Sequence, residues 1–298
     1  MPAEPLVSFL VITRDRREEL RRCLGSLVRQ RGVAAEVVVV DNGSRDGTPA
    51  WVRAERPEVV LVEVGENAGA AGGRNRGLAV ARGEIVICVD DDAELVGDDV
   101  AARVVERFGA DGRLGVVSFK ILEPATGLEE RKSIPRRDKA RLDADYSTTY
   151  FCTAGCAFRR AALPAGEVFW ERLVIYGEEL DLAYRILQRG WRMVRANDLR
   201  VLHHETPRAR PPARFFYRMI RNRLPIALRS LPPLAVASTV VVWIARMALL
   251  SARAGALAAC ARGIVDSLRD VRPALALRDP LSADAIARLR DDAGRLWY

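Results

Sequence analysis

The sequence contains few cysteines, and their arrangement excludes the two kinds of protein that depend on them. Five cysteines are scattered over 298 residues, and no CxxC pair is present. Cys152 and Cys156 lie four residues apart, but no second pair and no neighbouring histidine complete a zinc pattern. An odd, scattered set predicts no disulfide framework either, so we expect reduced thiols in a cytosolic compartment.

Several signals of export and of nucleotide binding are also missing. Residues 1–20 carry an acid before their apolar run and have no small-residue cleavage site, so we expect a first strand there rather than a signal peptide. No GK[ST] loop is present, and no GxGxxG motif directly follows the first predicted strand. The chain therefore lacks the signatures of a P-loop and of a dinucleotide-binding site.

Composition and charge indicate a folded chain with a cationic surface. Hydrophobic residues make up 49% of the chain, and its length suffices for one large α/β domain, alone or with an appendage. The net charge is +8, and the basic residues are nearly all arginine. Such a surface favours ligands that carry phosphate, or anionic lipid. The arginines are spread along the chain without a nucleic-acid-binding motif, so we expect no nucleic-acid partner.

Apolar strands and amphipathic helices alternate through the first part of the chain. The predicted strands span residues 6–13, 35–44, 58–64 and 84–90. Strands this apolar are typical of a parallel sheet covered on both faces, so the fold class is α/β with a Rossmann-like, mostly parallel sheet. Beyond it we expect a helix at 97–110, a strand at 114–122 and a flexible surface loop at 123–149.

A proline-rich segment divides the chain into two predicted domains. Pro207, Pro211 and Pro212 mark the boundary, so the first domain would span 1–210 and a helical region 211–298. Six arginines beside the boundary would contact lipid headgroups or an acceptor phosphate, or else form a solvated face on a packing helix. These arginines are Arg208, Arg210, Arg214, Arg218, Arg221 and Arg223.

An apolar segment follows in the helical region, at residues 231–250. Its length approaches that of a bilayer-spanning helix, but Arg246 interrupts it and Pro232 and Pro233 shorten it. A helix that lies on the membrane surface fits this pattern better than a spanning helix. Ordinary buried core remains the third possibility.

Three consecutive acids, Asp90, Asp91 and Asp92, end the fourth predicted strand. They form either a solvated turn that caps the next helix or a site for a divalent cation that holds a phosphate. The other strands also end in polar residues, and a Gly-rich loop with Arg74 opens the helix before the acids. Since ligands bind beyond the carboxyl ends of parallel strands, this coincidence favours the cation site.

Two further groups of residues have both a structural and a functional interpretation. Glu178, Glu179 and Asp181 begin a predicted helix, where acids favour the helix dipole but where one could also act as a general base. His203 and His204 end a strand, and only one of two adjacent side chains on a strand can reach a metal.

Six motifs in order give residues 7 to about 225 a specific resemblance to family-2 inverting glycosyltransferases with the GT-A fold. The motifs are VSFLVITRDRREELRRCLGSL, EVVVVDNGSRDGT, NAGAAGGRNRGLAVARGEIVICVDDDAEL, TAGCAFRRAAL, YGEELDLAYRILQRGW and VLHHE. The resemblance implies a nucleotide-sugar half at 1–95 and an acceptor half at 96–210. It also implies rhamnosyl- or galactofuranosyltransferase-like chemistry with Mn²⁺ or Mg²⁺ as the cofactor.

The same resemblance assigns roles to individual residues. The nucleotide site would comprise Thr13, Arg14, Asp41, Asn67, Arg74, Asp90 and Asp91, and the metal ligands would be Asp90, Asp92 and His203. Glu179 takes the position of the catalytic base, although the family usually has Asp there, so Asp181 is the alternative and Glu178 completes the acid group. Trp191 is expected either in the acceptor pocket or in the core.

The resulting hypothesis is the transfer of a sugar from a UDP- or dTDP-sugar to an acceptor hydroxyl in cell-wall, polysaccharide or glycolipid synthesis. The acceptor would be lipid-linked and the enzyme peripheral on the inner face of the cell membrane. The alternatives are glycosylation of a soluble small molecule and a nucleotidyltransferase-type enzyme on a related sheet.

Overall fold

The computed structural model describes residues 5–204, 211–292 and 294, and these form one sheet flanked by helices. Within them, the strands are β1 (Val7–Thr13), β2 (Ala35–Asp41), β3 (Val60–Glu63), β4 (Ile85–Val89), β5 (Ala93–Val96), β6 (Leu114–Leu122), β7 (Tyr146–Ser147), β8 (Gly155–Arg159) and β9 (Arg192–His203). The helices are α1 (Arg17–Leu27), α2 (Thr48–Glu55), α3 (Gly69–Val80), α4 (Val100–Ala110), α5 (Glu178–Gln188), α6 (Pro212–Ser230), α7 (Pro233–Arg253), α8 (Leu257–Ser267), α9 (Val271–Ala276) and α10 (Ala283–Asp291).

The sheet has a parallel half and a mixed half. The order is β3-β2-β1-β4-β8-β6-β9-β5, and the first four strands run parallel. β8 runs antiparallel to both β4 and β6, and β5 and β7 run antiparallel to β9. The α/β fold class is confirmed, while the sheet is mixed rather than mostly parallel. Buried strands are apolar in either direction, so the sequence pattern could not distinguish the two.

Both faces of the sheet are covered, because successive side chains on each strand point to opposite sides. On β1, Leu10 packs with α3 and α5, whereas Phe9 and Val11 pack with α1, α2 and α4. The parallel strands are therefore buried on both sides, and their carboxyl ends are free to form a site.

Two local predictions need correction. Residues 93–96 form the strand β5 on the edge of the sheet, and α4 therefore begins at Val100 rather than at residue 97. The loop at 123–149 is not simply a mobile surface segment, because Glu130 and Ile134 are buried in it. This loop lies against the end of β9, where it contributes to the site described below.

Several helices after residue 211 share the core of the sheet domain. Ile226 of α6, Ala274 of α9 and Leu289 of α10 pack in the same cluster as Leu182 of α5. A second, smaller cluster joins α6, α7 and α8, so these last helices contribute both to the core of the sheet and to a core of their own. Pro207, Arg208 and Arg210 lie outside the described residues.

Among the described residues, α7 is the one helix that is long and apolar enough to cross a membrane. It has 21 residues and a mean hydropathy of 1.9 over its most apolar window, of which 22% is buried. Its buried side packs on α6 and α8 through Trp243 and Met247. A core helix of a soluble protein would be buried over most of its surface, so the exposed side of α7 needs another explanation.

Candidate active site at the ends of the parallel strands

An open cleft of about 520 Å³ lies at the carboxyl ends of β1, β2 and β4. It combines the polar strand ends with the start of α3 and with the segment that precedes α5. The residues predicted from the sequence that line it are Thr13, Arg14, Asn67, Arg74, Asp90, Asp91 and Asp92.

Thr13 and Asp41 lie opposite each other at the ends of β1 and β2. Asp41 is buried, and its Oδ2 accepts a hydrogen bond from the backbone N–H of Ser44. Its Oδ1 is also buried and has no hydrogen-bond partner. Burying a carboxylate oxygen without a hydrogen bond costs free energy, so this oxygen is suited to accept a hydrogen bond from a ligand.

The Gly-rich loop is held by two asparagines. Asn42 accepts a hydrogen bond from the N–H of Ala68, and Asn67 accepts one from the N–H of Gly69. Gly69 has a φ of 75°, and a Cβ there would lie 2.7 Å from the carbonyl oxygen of Val174. Glycine is therefore required at this position, where the two walls of the cleft meet.

Asp90, Asp92 and His203 come together as the sequence predicted. One ligand atom from each lies within 4.8 Å of the others, a spacing that suits a divalent cation. β5 and β9 create this contact, because Ala93 pairs with His203 in the sheet. Nε2 of His203 lies 3.2 Å from Oδ1 of Asp92, close enough for both atoms to bind one cation. This imidazole nitrogen is therefore well placed to bind a metal ion.

Glu130, which sequence reasoning missed, supports His203 from the other side. Its Oε1 lies 3.2 Å from Nδ1 of the imidazole, and both residues are buried. Burial alone would lower the pKa of His203, but the hydrogen bonds with Asp92 and Glu130 and the charge of Asp90 raise it to about 10. The pocket thus favours a positive charge at the imidazole, which a bound cation would supply in place of the proton.

Asp91 is held beside the end of β1 by two hydrogen-bonding partners. Its carboxylate accepts hydrogen bonds from the Thr13 hydroxyl and from Arg16, whose Nη1 also contacts Asp92. Burial raises the pKa of Asp91 to about 7, and the charge of Arg16 opposes that rise. Asp91 and Arg16 therefore fix the end of β1 beside the acids, and Arg16 is a second residue that the sequence did not reveal.

Arg74 connects the acids of the metal cluster to the acids that begin α5. Its guanidinium donates to Asp90 at 3.3 Å and to Glu178 at 3.1 Å, and it lies over the ring of Phe169. Arg74 is buried, and although burial lowers its pKa, the charges of Asp90, Glu178 and Glu179 raise it above the usual range. It remains a fixed positive charge on the floor of the cleft.

Glu178 and Glu179 have different environments although they are adjacent. Burial raises the pKa of Glu178 to about 7 despite the opposing charge of Arg74, and its Oε2 is buried without a hydrogen-bond partner. Glu179 is half-buried and accepts three hydrogen bonds, from the Tyr150 hydroxyl and from the N–H and hydroxyl of Thr153. Its carboxylate has about four lone-pair sites, so three bonds orient it and leave one site on Oε2.

Two predicted residues take structural positions instead. Asp181 is fully buried and accepts two hydrogen bonds from Arg229 of α6, and Arg185 lies within 3.5 Å. Trp191 lines a separate small cavity with Arg288 and packs against Gly115. The structure thus gives no support to Asp181 as the base or to Trp191 as an acceptor contact.

Two solved structures that resemble the chain indicate its fold. The mannosyltransferase PcManGT from Pyrobaculum calidifontis, in complex with GDP-Man and Mn²⁺, matches with a TM-score of 0.60 and 24% identity, over 98% of this chain and 88% of that chain. Residues 1–349 of S. aureus TarS, in complex with UDP, match with a TM-score of 0.61 and 19% identity, over 96% of this chain and 88% of that chain. The fold is thus that of the GT-A glycosyltransferases.

The family follows from the sequence itself. The model described as Glycosyl transferase family 2 matches residues 8–165, and the chain belongs to that family of glycosyltransferases. The succinoglycan biosynthesis protein ExoO of Rhizobium meliloti (strain 1021) is 39% identical over 109 residues, which cover 36% of this chain. The match spans only 31% of ExoO's own length. Membership of this family decides against the nucleotidyltransferase alternative.

Proposed function

We propose that the protein transfers a sugar from a UDP- or dTDP-sugar to an acceptor hydroxyl with inversion, using Mn²⁺ or Mg²⁺. One observation carries the proposal: Arg74, which lines the cleft, contacts both Asp90 of the Asp90–Asp92–His203 cluster and Glu178 of the acid pair Glu178–Glu179. A donor diphosphate and an acceptor hydroxyl need these two kinds of group side by side.

Each wall of the cleft has a role in this proposal. Thr13, Arg14 and Asp41 contact the nucleoside, where the unpaired Oδ1 of Asp41 accepts from the base. Asn67 and Arg74 line the ribose and diphosphate region, together with the acids at the end of β4. A cation held by Asp90, Asp92 and His203 would neutralise charge on the leaving diphosphate.

Glu179 acts as the general base in the proposed reaction. It takes the proton of the acceptor hydroxyl as that oxygen bonds to the anomeric carbon, and the bond from this carbon to the diphosphate oxygen breaks. The electron pair leaves with the diphosphate, whose charge Arg74 helps to stabilise. The displacement is a single step from the opposite side, so the configuration inverts.

Similarity supports a proposal for the sugar and for the pathway. The motifs resemble those of rhamnosyl- and galactofuranosyltransferases, so we propose a donor of that type, and ExoO takes part in succinoglycan biosynthesis. We therefore place the reaction in the synthesis of a polysaccharide, cell-wall polymer or glycolipid, with a lipid-linked acceptor at the cytoplasmic face of the membrane.

Binding of nucleoside diphosphates tests the proposal directly. With Mn²⁺ present, UDP or dTDP is expected to raise the unfolding temperature, because a ligand at a hundredfold excess over its Kd stabilises the native state by about 2.7 kcal/mol. The measurement is thermal denaturation with UDP, dTDP, GDP or no nucleotide, each with Mn²⁺ and with EDTA. Stabilisation by GDP alone would exclude the proposed bases, and no metal-dependent stabilisation would refute the proposal.

The exposed side of α7 and α8 supports membrane association. Large apolar residues lie on one side of each helix and in the turn that follows α8, and together we call them the apolar C-terminal face: Leu234, Val241, Val242, Leu249, Leu257, Val265 and Leu268. Arg246 and Arg253 are exposed on α7, and Arg269 is exposed in the turn after α8. Apolar surface flanked by arginine suits a helix pair that lies on an anionic bilayer.

Charged substitutions on the apolar C-terminal face are expected to weaken vesicle binding strongly. The double variant Val241→Asp/Leu249→Asp should lower the fraction of protein that sediments with phosphatidylcholine–phosphatidylglycerol vesicles by about tenfold or more. The reason is that each aspartate opposes insertion into the membrane, by up to about 2.5 kcal/mol. Leu128→Asp, also at an exposed leucine but on the sheet domain, is the matched control and should bind normally. Equal sedimentation of both variants would remove the membrane from the proposal.

A further inference from the structure

A short segment before α5 forms one wall of the cleft and leads directly to the candidate base. Val174, Ile175 and Tyr176 line the cleft, and Glu178 and Glu179 are the first two residues of the helix that follows. The position of the acid pair therefore depends on the conformation of this segment, 173–177, which we call the acid-pair segment.

The backbone of the acid-pair segment is in a conformation that its residues do not favour. Val174 has a φ of 62° and Tyr176 a φ of 68°, and Gly177 follows with a φ of 96°. Positive φ is uncommon for residues other than glycine, and for a β-branched residue such as valine it is an outlier. Backbone of this kind persists only where the surroundings hold it.

The side chain of Asn222 in α6 stabilises this backbone conformation. Its side-chain amide donates hydrogen bonds to the carbonyl oxygens of Leu173, Ile175 and Tyr176, at 2.9, 3.0 and 2.6 Å. The residue is 1% exposed, and its Oδ1 accepts a hydrogen bond from Arg221. An amide has only two N–H hydrogens, so the three carbonyl oxygens share both of them and Asn222 has no donor left for another partner.

Three more residues of α6 contact the same region. The ring of Phe215 meets Tyr176 edge-on at 5.4 Å, and Arg229 pairs with Asp181 in the first turn of α5. Ile226 approaches Gly177 so closely that a Cβ there would lie 2.8 Å from it. Phe215, Asn222, Ile226 and Arg229 are spaced by seven, four and three residues, so they lie on one side of α6.

We propose that Asn222 is a positioning residue for the acid pair, and that α6 holds the acid-pair segment in its left-handed conformation through this side chain. As regards catalysis, the inference depends on the proposed role of Glu179. Misplacement of a catalytic group by about 1 Å can lower the rate about a hundredfold, so loss of the clamp should impair turnover. The candidate metal ligands lie between β4 and β5 and at the end of β9, and the hydrogen bonds of Asn222 go to other residues, so metal binding should be unaffected.

Two substitutions of Asn222 test the clamp without requiring the acceptor to be known. Asn222→Ala removes the amide, and Asn222→Asp keeps its shape but, at pH 8, removes its donors. In both variants, the backbone amides of a peptide covering 173–179 are expected to exchange their hydrogens about tenfold faster, as measured by mass spectrometry. A tenfold change corresponds to the loss of one hydrogen bond worth about 1.4 kcal/mol. Binding of Mn²⁺ alone, measured by calorimetry, should match the wild-type chain.

The third measurement is the turnover of a nucleotide sugar that carries the base identified by the thermal denaturation experiment. Both variants should lose about tenfold to a hundredfold in turnover number, with little change in the KM for the donor. Ser267→Ala is the matched control, because it also removes a buried hydrogen bond from the C-terminal helices but lies in α8, away from the acid-pair segment. It should leave exchange at 173–179 and turnover unchanged.

The outcomes separate this inference from the proposed function. Unchanged exchange at 173–179 in both variants would overturn the clamp, and faster exchange with normal turnover would overturn the positioning role of Asn222 in catalysis. If Asn222→Ala does not fold, Asn222→Asp gives the same three readouts with the packing retained. If Glu179→Gln turns over normally, the assigned base is wrong, while the exchange and metal measurements still decide the structural half of the inference.

Discussion

Glu179→Gln is expected to lower sugar transfer by about a thousandfold while nucleotide and Mn²⁺ binding stay within about twofold of the wild-type chain. General base catalysis contributes roughly a hundred- to ten-thousandfold, and an amide cannot take the acceptor proton. The shape of the side chain is kept, so the contact with Tyr150 and Thr153 largely remains. The measurements are donor turnover and calorimetric titration with Mn²⁺ and the nucleoside diphosphate.

Glu178→Gln is the comparison that makes this result specific. Glu178 is paired with Arg74 and buried, so its replacement should mainly weaken diphosphate binding and raise the KM for the donor. If instead Glu178→Gln loses the chemical step and Glu179→Gln keeps it, the unpaired Oε2 of Glu178 is the base. Loss of nucleotide binding in Glu179→Gln would assign that residue a structural role.

Asp92→Asn is expected to remove metal-dependent turnover. A metal at a developing negative charge stabilises the transition state by several kcal/mol, and about 4 kcal/mol corresponds to a thousandfold in rate. The amide removes a negative charge from the cluster with Asp90 and His203 but keeps the volume of the side chain. Turnover is measured against Mn²⁺ concentration, and Mn²⁺ binding is followed by electron paramagnetic resonance.

Glu130→Gln is expected to weaken metal binding less than Asp92→Asn does. Glu130 does not belong to the cluster but contacts the imidazole of His203, and loss of such a supporting carboxylate typically lowers metal affinity ten- to a hundredfold. High Mn²⁺ should therefore restore turnover to Glu130→Gln and not to Asp92→Asn. If turnover in both variants depended on Mn²⁺ as it does in the wild-type chain, this result would contradict a metal site at the end of β4.

The part of the site that the sequence predicted is the part that the parallel strands determine. Asp41 and Asp90 were placed at one edge because the carboxyl ends of parallel strands meet there. His203 was identified through the resemblance to family-2 glycosyltransferases, since its contact with Asp92 depends on the pairing of β5 with β9, which the sequence pattern did not predict. For Asp41 and Asp90, the local pattern and the strand topology carried enough information.

The missed residues depend on contacts across long separations in the chain. Glu130 lies in a charged segment without periodicity, and its burial results from the position of that loop against β9. Asn222 is one polar residue in an amphipathic helix, and nothing in its sequence context indicates three carbonyl partners 46 to 49 residues away. Trp191 stayed open between pocket and core because an aromatic residue after a helix has the same pattern in both, and in the structure it packs against the core.

The joint core of the sheet and the last helices has a practical consequence for handling the protein. α6, α9 and α10 bury Ile226, Ala274 and Leu289 in the same interior as α5, so cutting the chain at residue 210 or 230 would leave that interior open to water. A detergent-free preparation should therefore keep the full chain and replace outward-facing leucine and valine on α7 and α8 with polar residues. Such surface engineering preserves the fold where truncation would favour aggregation.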